Sequence, residues 1–309
     1  MDREPRPEGS PPSPDPSPSP ERTSGLTLET CYRHQDVYTG VHCTRCGRPI
    51  CPDCMHQAPV GHQCPQCVAE ARRSGRRQAL VLGGRRSVTS VLMAVNIGLF
   101  LVTVVLGSAG RMFLGGRTAT LVDLGALQPL LIARDGQYWR LVTAIFLHAG
   151  LFHLLFNMWA LYLFGNLIER ALGSLRFLAI YLVSGFLASV ASFLFSNPLA
   201  VGVGASGAIF GLLGAWVAYN LRRRGTAMAS ANLRTAAVII AINVIFGLSV
   251  AGIDNFAHLG GLAAGVVLGW LAEGAGPRSV RPLVQAAGFA AVILVGVVLT
   301  VARAGALAA

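Results

Sequence analysis

The sequence has no lysine, and every one of its 25 basic residues is therefore an arginine. It also has few charges, since charged residues make up 13% of the 309 residues, against a hydrophobic share of 53%. This balance excludes an ordinary soluble globular protein, in which about a quarter of the residues are charged. The net charge of +11 is compatible with nucleic-acid binding, but arginines in so apolar a chain more often set the orientation of helices in a membrane.

Cysteine is absent outside one short segment, because all seven cysteines lie between Cys31 and Cys67. An odd number of cysteines, most of them in CxxC spacing, favours a metal site over a set of disulfides. Apolar residues are nearly absent from residues 1–30, which are rich in Pro and Ser. These residues are predicted to form a disordered, partly polyproline-like tail.

Composition divides the rest of the chain into four further regions. Residues 31–68 hold the cysteines and are predicted to form a small zinc-binding module. Residues 69–87 are predicted to be a linker, with six arginines and no acidic residue from Arg72 to Arg86. Residues 88–273 are predicted to be a core of six transmembrane helices, and residues 274–309 a second linker with a seventh helix.

Apolar runs of spanning or near-spanning length predict the positions of the seven helices. They lie near 88–107, 141–165, 174–196, 206–221, 235–252, 257–272 and 284–302. Arginines precede the first helix and follow the fourth and the sixth, which predicts that these ends are cytoplasmic. The loops "SNPLAVGVG" and "VAGIDN" carry almost no positive charge and are expected outside. The N-terminus is therefore predicted in the cytoplasm and the C-terminus outside.

Strongly polar side chains within these helices are few, and four of them are expected at one depth. His153 and Asn157 lie near the start of the second helix, Ser206 opens the fourth, and His258 opens the sixth. Since these three helices run in the same direction, the four residues gather in the outer part of the membrane. Polar groups at such a depth usually face a protein interior or a wet cavity.

Glycines repeat every four residues on the fourth and sixth helices. Such faces predict close packing of two helices, which would bring His258 within hydrogen-bond reach of Ser206. A neighbouring base activates a serine oxygen as a nucleophile, and the start of a helix suits the oxyanion that follows attack. His153 and Asn157 would add donors. The alternative is that "GASG" serves packing alone and that His153 and Asn157 bond only to each other across a helix interface.

Three segments carry a resemblance to a known family: "YWRLVTAIFLHAGLFHLLFNM", "GASGAIFG" and "NFAHLGGLAAG". From about residue 88 to 269 the chain resembles the rhomboid family of intramembrane serine proteases. The resemblance implies an all-α polytopic membrane protein with a six-helix core and one added C-terminal helix. It also implies a Ser/His pair, with Ser206 as the nucleophile, His258 as the base, and His153 and Asn157 at the oxyanion site.

The same resemblance assigns supporting positions around this pair. His148 begins the HxxxxHxxxN segment, and Gly204 begins GxSG. Phe210 stands where some relatives have Tyr, so we expect its ring to stack beside the imidazole without a hydroxyl for proton relay. Asp254, four residues before His258, is interpreted as a solvated outer-loop carboxylate and not as a third catalytic member.

Two further pairs of residues match the family outside the catalytic segments. Trp139 and Arg140 match its structured outer loop, and Glu169 and Arg170 match its turn below the second helix.

The cysteine segment contains four ligand pairs in two-residue spacing: Cys31/His34, Cys43/Cys46, Cys51/Cys54 and Cys64/Cys67. Eight such ligands fit two tetrahedral zinc ions, and a segment with so few apolar residues cannot fold unaided. The segment resembles a B-box-like module, which implies that the first and third pairs share one metal and the second and fourth the other. His42, His56 and His62 remain as alternative ligands.

The sequence thus predicts an intramembrane serine endopeptidase that cleaves transmembrane proteins near the outer face of a bacterial-like plasma membrane. Two structural zinc ions are expected, and no cofactor for catalysis. The expected partners are membrane-protein substrates, the lipid bilayer and a cytosolic protein for the zinc module, but not nucleic acid. The alternative is a catalytically silent rhomboid-like adaptor that binds membrane clients; a small transporter or channel is a further rival.

Overall fold

The protein is described from a computed structural model, which covers residues 29–58, 61–71, 87–107, 118–274 and 279–308. The predicted N-terminal tail, except its last two residues, most of the arginine-rich linker and Arg278 lie outside the described residues. The chain divides into two compact units, Met1–Arg85 and Arg86–Ala309. Each unit is described by itself.

The first unit consists of two small hairpins and short helical pieces. Strand β1 (Glu29–Thr30) pairs antiparallel with β2 (Tyr38–Thr39), and β3 (His56–Gln57) pairs antiparallel with β4 (His62–Gln63). A 3₁₀ turn at Pro52–Cys54 follows Cys51 directly. The described part of helix α1 covers residues 65–71.

Among the described residues of the first unit, cysteines make up nearly all of the buried interior. Six of its seven cysteines are buried, and Ile50 is fully buried among them. Tyr32, Val37 and Met55 cover this cluster only in part. So small an apolar core is little to stabilise a fold of this size, and the buried side chains around Ile50 are mostly cysteines.

The second unit is a bundle of membrane helices. Six helices of the described part of the chain are long and apolar enough to cross a bilayer: α2 (Val88–Leu106), α6 (Leu151–Leu172), α7 (Ser174–Phe195), α9 (Ala227–Ser249), α10 (Asn255–Ala272) and α11 (Arg281–Ala308). A seventh, α8 (Ser206–Leu221), is apolar but has only 16 residues. Helices α7, α8 and α10 pack against one another at the centre. The chain is therefore an all-α multi-pass membrane protein with a small Cys/His-rich unit before it.

The predicted second membrane helix, 141–165, is wrong at its start. Residues 118–146 instead form short helices: α3 (Thr118–Asp123), α4 (Pro129–Asp135), α5 (Arg140–Thr143) and a 3₁₀ turn (Ala144–Phe146). Leu147 and Gly150 are both extended, which separates this segment from α6. The apolar run misled the prediction because Leu141, Ala144 and Ile145 are buried against the helix bundle and do not continue the helix.

Arg140 holds this loop structure together. The side chain is buried, and it donates from Nε to the Gln137 amide oxygen (2.7 Å) and from Nη1 to the carbonyls of Val122 (2.6 Å) and Ala126 (2.9 Å). Its guanidinium also lies 4.7 Å from the centre of the Trp139 ring. A buried guanidinium with several acceptors fixes the loop's path through charge-assisted hydrogen bonds.

Helix α9 begins eight residues before its predicted start at 235. Thr226 caps it, because its side-chain oxygen accepts a hydrogen bond from the backbone N–H of Ala229 at 3.2 Å. The first turns of α9 are polar enough to fall outside an apolar run, but an N-cap residue and good helix formers start the helix there. Helix α11 likewise extends beyond 284–302 at both ends.

The close approach of the fourth and sixth membrane helices is confirmed. A Cβ atom at Gly261 of α10 would overlap the Gly207 carbonyl of α8, and a Cβ at Gly265 would overlap the Gly211 carbonyl. The two backbones are thus in direct contact, as small residues repeated every four positions allow. This contact sets the separation between the residues at the starts of α8 and α10.

Glu169 joins three helices near the end of α6. Its carboxylate accepts from the hydroxyls of Ser87 (2.6 Å), Thr89 (2.7 Å) and Ser174 (2.8 Å), and from the backbone N–H groups of Val88 (2.9 Å) and Thr89 (3.0 Å). The first N–H groups of a helix have no partner within it, and a negative charge there is favoured by the helix dipole. Glu169 therefore caps α2 from a different helix.

Candidate active site

Ser206 is the first residue of α8, and the chain reaches it through a glycine-dependent bend. Gly204 has φ of 131°, a conformation that other residues rarely adopt. A Cβ atom at Gly204 would come within 2.7 Å of Nε2 of His153. Glycine is thus required twice at this position, once for the backbone angle and once for the approach of the imidazole.

The hydroxyl of Ser206 meets the imidazole of His258 across two helices. The distance between Ser206 Oγ and His258 Nε2 is 2.8 Å, although the residues are 52 positions apart. Both side chains are half-buried, and His258 lies in the first turn of α10. The proximity expected from the glycine spacing is therefore present, in hydrogen-bonding geometry.

The Phe210 ring lies flat against the imidazole of His258. The ring centres are 4.4 Å apart and the planes differ by 6°. Phe210 is one helical turn beyond Ser206 and is buried, so the stacked ring limits rotation of the imidazole. Phenylalanine itself adds no hydroxyl beside the imidazole.

The imidazole of His153 lies against Gly204, two residues before Ser206. Asn157 is buried on the same face of α6, one turn further, and its Nδ2 donates to the backbone carbonyl of His153 at 2.8 Å. That bond lies within one helix and does not connect the two side chains across an interface. His148 is fully buried and its ring packs edge-on against His153, with ring centres 5.2 Å apart.

The interpretation of Asp254 as a solvated loop carboxylate is wrong. Its Oδ1 accepts from the backbone N–H of Ala257 at 2.9 Å, and its Oδ2 accepts from the hydroxyl of Ser192 at 2.5 Å. Nδ1 of His258 is buried and has no hydrogen-bond partner among the described residues. Asp254 is therefore the N-cap of α10 and does not contact the free nitrogen of the imidazole.

Ser192 is a site residue that sequence reasoning missed. It lies on α7 among several serines that look like packing residues of a membrane helix, so its spacing gave no signal. Only the fold brings it to the start of α10. A cavity of about 40 Å³ is lined by Ser206, Ser192 and Asp254 among others.

The Cys/His residues of the first unit gather into two groups of four: Cys31, His34, Cys51 and Cys54 in one, and Cys43, Cys46, Cys64 and Cys67 in the other. Within each group the ligand atoms lie within 4.8 Å of one another. The grouping joins the first pair with the third and the second with the fourth, as the B-box-like resemblance implies.

The spacing of the donor atoms fits a tetrahedral zinc ion. Nδ1 of His34 lies 3.2 Å from Sγ of Cys51 and 3.5 Å from Sγ of Cys54, and Sγ of Cys46 lies 3.8 Å from Sγ of Cys64. Zinc–sulfur bonds of about 2.3 Å at tetrahedral angles place two sulfurs about 3.8 Å apart. The donor chemistry and the distances are therefore both appropriate to structural zinc.

Backbone amides in the first unit favour the thiolate form of Cys43, one of the eight candidate ligands. Burial disfavours a charged Cys43, but the backbone N–H groups of Cys64, Cys46 and Arg45 donate to its sulfur and lower its pKa to about 6. The bond from Cys64 N to Cys43 Sγ is 3.3 Å long. Because zinc binds thiolates, this arrangement prepares the sulfur as a ligand.

None of the alternative histidines belongs to either group within the described residues. Nε2 of His42 lies 3.5 Å from Oε2 of Glu29, and His56 and His62 lie on the β3–β4 hairpin. His34 is thus the histidine that completes the first group.

Comparison with known proteins matches the membrane unit. A family model described as "Rhomboid domain" matches residues 135–274. Rhomboid protease GluP of Bacillus subtilis (strain 168) is 43% identical over 190 residues, which cover 60% of this chain and 35% of GluP. RHOMBOID-like protein 1 of Arabidopsis thaliana is 44% identical over 160 residues, covering 51% of this chain and 40% of that protein.

A shorter relative is matched over most of its length. YdcA of Bacillus subtilis (strain 168), whose name also places it with the rhomboids, is 38% identical over 138 residues, covering 44% of this chain and 68% of YdcA. The chain spans less than half of GluP and of RHOMBOID-like protein 1.

Proposed function

The chain belongs to the rhomboid family, and from that premise we propose that it is an intramembrane serine endopeptidase with Ser206 as nucleophile and His258 as general base. The observation that carries the proposal is the 2.8 Å distance between Ser206 Oγ and His258 Nε2. A serine oxygen becomes an effective nucleophile when an adjacent base takes its proton, and these two groups are in position for that transfer.

The first half of the reaction forms an acyl-enzyme. Ser206 Oγ attacks the carbonyl carbon of the scissile peptide bond while its proton moves to Nε2 of His258. The tetrahedral intermediate collapses when the C–N bond breaks, and His258 returns the proton to the leaving amine. The N-terminal part of the substrate is then held to Ser206 as an ester.

The second half repeats these proton transfers with water. His258 takes a proton from a water molecule while the water oxygen attacks the ester carbonyl carbon. His258 then protonates Ser206 Oγ as the ester bond breaks. The cavity of about 40 Å³ beside Ser206 is large enough for a water molecule. The products are a free carboxylate on one fragment and a free amine on the other.

The oxyanion of each intermediate is stabilised by donors near the start of α8. The backbone N–H of Ser206 belongs to the first turn of the helix and has no partner within it, and the helix dipole favours negative charge there. We assign His153 as the side-chain donor nearest the site, since its Nε2 lies against Gly204, and Asn157 as the second. One such donor contributes about 3 kcal/mol to lowering the barrier.

The length of α8 supports a site below the membrane surface. Sixteen residues span about 24 Å, against a hydrocarbon layer of about 30 Å. If Arg222–Arg224 at the end of α8 lie at the cytoplasmic surface, Ser206 lies roughly 6 Å inside the opposite one. Substrates are then membrane proteins whose helices are weakened near the outer leaflet. The same orientation places the N-terminus of the protein in the cytoplasm, and the membrane we propose is the plasma membrane.

We further propose that the two Cys/His groups each hold a structural zinc ion. All four positions are filled by protein side chains, and closed sites of this kind stabilise folds and do not activate water. When bound, zinc supplies folding free energy to a unit whose apolar core is little more than Ile50. The unit then offers a folded surface to a cytosolic protein.

The decisive test is labelling of the full-length protein, in proteoliposomes, with a fluorophosphonate probe that reacts with activated serines. We expect labelling of the wild type and its loss in Ser206→Ala and His258→Ala. Ser230→Ala is the matched control, because its hydroxyl bonds to the Arg224 carbonyl at the opposite end of α8, and it should label like the wild type. Equal labelling of all four proteins, or of none, would exclude the protease and favour the client-binding adaptor.

A further inference from the structure

We infer that Asp254 and Ser192 are positioning residues, which hold the first turn of α10 so that the His258 imidazole stays against Ser206. The inference rests on the proposed protease function. It assigns to the Asp254 carboxylate a bridge between α7 and α10, and not a direct part in proton transfer.

The first half of the bridge is the cap of α10. Asp254 Oδ1 accepts from the N–H of Ala257 at 2.9 Å, and the N–H of His258 bonds to the Asp254 carbonyl at 3.1 Å. An aspartate N-cap satisfies donors that the helix itself leaves free. His258 follows Ala257 directly, so the cap defines the backbone position from which the imidazole extends.

The second half of the bridge reaches a different helix. Oδ2 of the same carboxylate accepts from the hydroxyl of Ser192 at 2.5 Å. Ser192 is 2% exposed and lies near the end of α7, one of the two helices against which α10 packs most closely. A single carboxylate therefore connects the cap of α10 to the centre of the bundle.

The site needs such a connection because the imidazole has little other support. Its Nδ1 has no hydrogen-bond partner among the described residues, so no side chain orients the ring from that nitrogen. The segment before Asp254 is exposed from Val250 to Gly252 and offers little packing. Stacking on Phe210 fixes the plane of the ring, and the bridge fixes the position of its backbone.

Asn at position 254 separates geometry from charge. Its side-chain oxygen can accept from the N–H of Ala257, and its amide can donate to Ser192 Oγ, so both connections are retained without a negative charge. Ala at position 254 removes both. Ser192→Ala keeps the cap and removes the connection to α7, together with the contact of the Ser192 hydroxyl with that of Ser196 at 3.3 Å.

The experiment measures the second-order rate constant of fluorophosphonate labelling and the unfolding temperature of the full-length protein in proteoliposomes. We expect Asp254→Ala to label at least about tenfold more slowly, because small displacements of a catalytic group reduce rates by as much as about 100-fold. Asp254→Asn should stay within about threefold of the wild type, and Ser192→Ala should lie between the two. With a membrane-anchored substrate, the loss should appear in kcat and not in KM.

Thr226→Ala is the matched control. Thr226 caps α9 through the same kind of bond, to the N–H of Ala229 at 3.2 Å, but α9 carries none of the site residues. This variant should lower the unfolding temperature as a lost cap does and leave the labelling rate unchanged.

Three results would overturn the inference while leaving the proposed protease intact. The first is wild-type labelling of Asp254→Ala, or of Ser192→Ala if Asp254→Ala fails to fold. The second is an Asp254→Asn rate as low as that of Asp254→Ala, which would assign the effect to charge. The third is an equal loss of labelling in Thr226→Ala. Failure of the wild type itself to label would instead overturn the proposed function and this inference with it.

Discussion

Gly265 of α10 lies directly against the backbone carbonyl of Gly211 on α8, at a distance that leaves no room for a Cβ atom. The two helices that carry His258 and Ser206 are thus in backbone contact two turns below the site. The separation between the hydroxyl and the imidazole depends on this contact, because Ser206 is the first residue of α8 and His258 lies in the first turn of α10.

Gly265→Ala is therefore expected to force α8 and α10 apart. Overpacking at such a contact destabilises a protein by about 1–3 kcal/mol, and we expect a lower unfolding temperature together with slower fluorophosphonate labelling. Gly225→Ala is the control, since a Cβ there meets nothing within 4 Å. Wild-type labelling by Gly265→Ala would show that the helix contact does not set the geometry of the site.

Replacement of Phe210 tests how the imidazole is held. The stacked ring lies 4.4 Å from the imidazole, and aromatic pairs of this kind contribute about 0.5–1.5 kcal/mol. Phe210→Leu should slow labelling by roughly 2- to 12-fold, whereas Phe210→Tyr, which keeps the ring, should label nearly as the wild type does. An equal reduction in both variants would contradict a stacking role.

Glu169 is expected to be important for stability and not for chemistry. Glu169→Ala leaves five donor groups without their acceptor. The two donors of Thr89 belong to a buried residue, and a buried donor left unpaired costs about 1–3 kcal/mol. We expect a clear fall in unfolding temperature, measured by differential scanning fluorimetry. Glu70→Ala, which removes an exposed carboxylate from the other unit, should have almost no effect; a matching loss there would argue against the capping role.

Metal analysis tests the first unit. We expect about two zinc ions per chain, falling to about one in Cys51→Ser and likewise in Cys43→Ser, because these cysteines belong to different groups. His62→Ala should keep both ions. A wild-type content of one ion or none would remove the eight-ligand assignment.

The two zinc sites should also differ in the rate at which a chelator removes the metal. Cys46 is the one exposed cysteine among the seven, so the four-cysteine site is the more accessible. We expect a chelator to remove zinc in two phases, with the faster phase absent from Cys43→Ser. A fast phase that persists in Cys43→Ser but is missing from Cys51→Ser would reverse this order.

Much of the architecture could be predicted from local sequence. Apolar runs predicted the membrane helices because the bilayer demands long apolar segments whatever the tertiary contacts. The prediction failed between residues 141 and 150, where apolar side chains of a segment held by Arg140 are buried against the helix bundle. An apolar run does not distinguish burial in lipid from burial in protein.

The candidate site could likewise be predicted only in part from the sequence. Ser206, His258 and His153 have types and positions that suggest chemistry, and the fold brings the first two within 2.8 Å. The bridge from Asp254 to Ser192 was not predictable, because the sequence around a serine in a membrane helix does not indicate which residue it will hydrogen-bond to. The partner is decided by how α7 and α10 pack.

The sequence by itself determined the membrane class of this protein, the spacing of its Cys/His pairs and the residue types of the candidate site, since these depend on residue type and on distances along the chain. Only the tertiary structure decided which ligand pairs meet, where α6 begins and what Asp254 contacts. These depend on packing between segments far apart in sequence, and a local sequence pattern does not indicate which distant segments pack together.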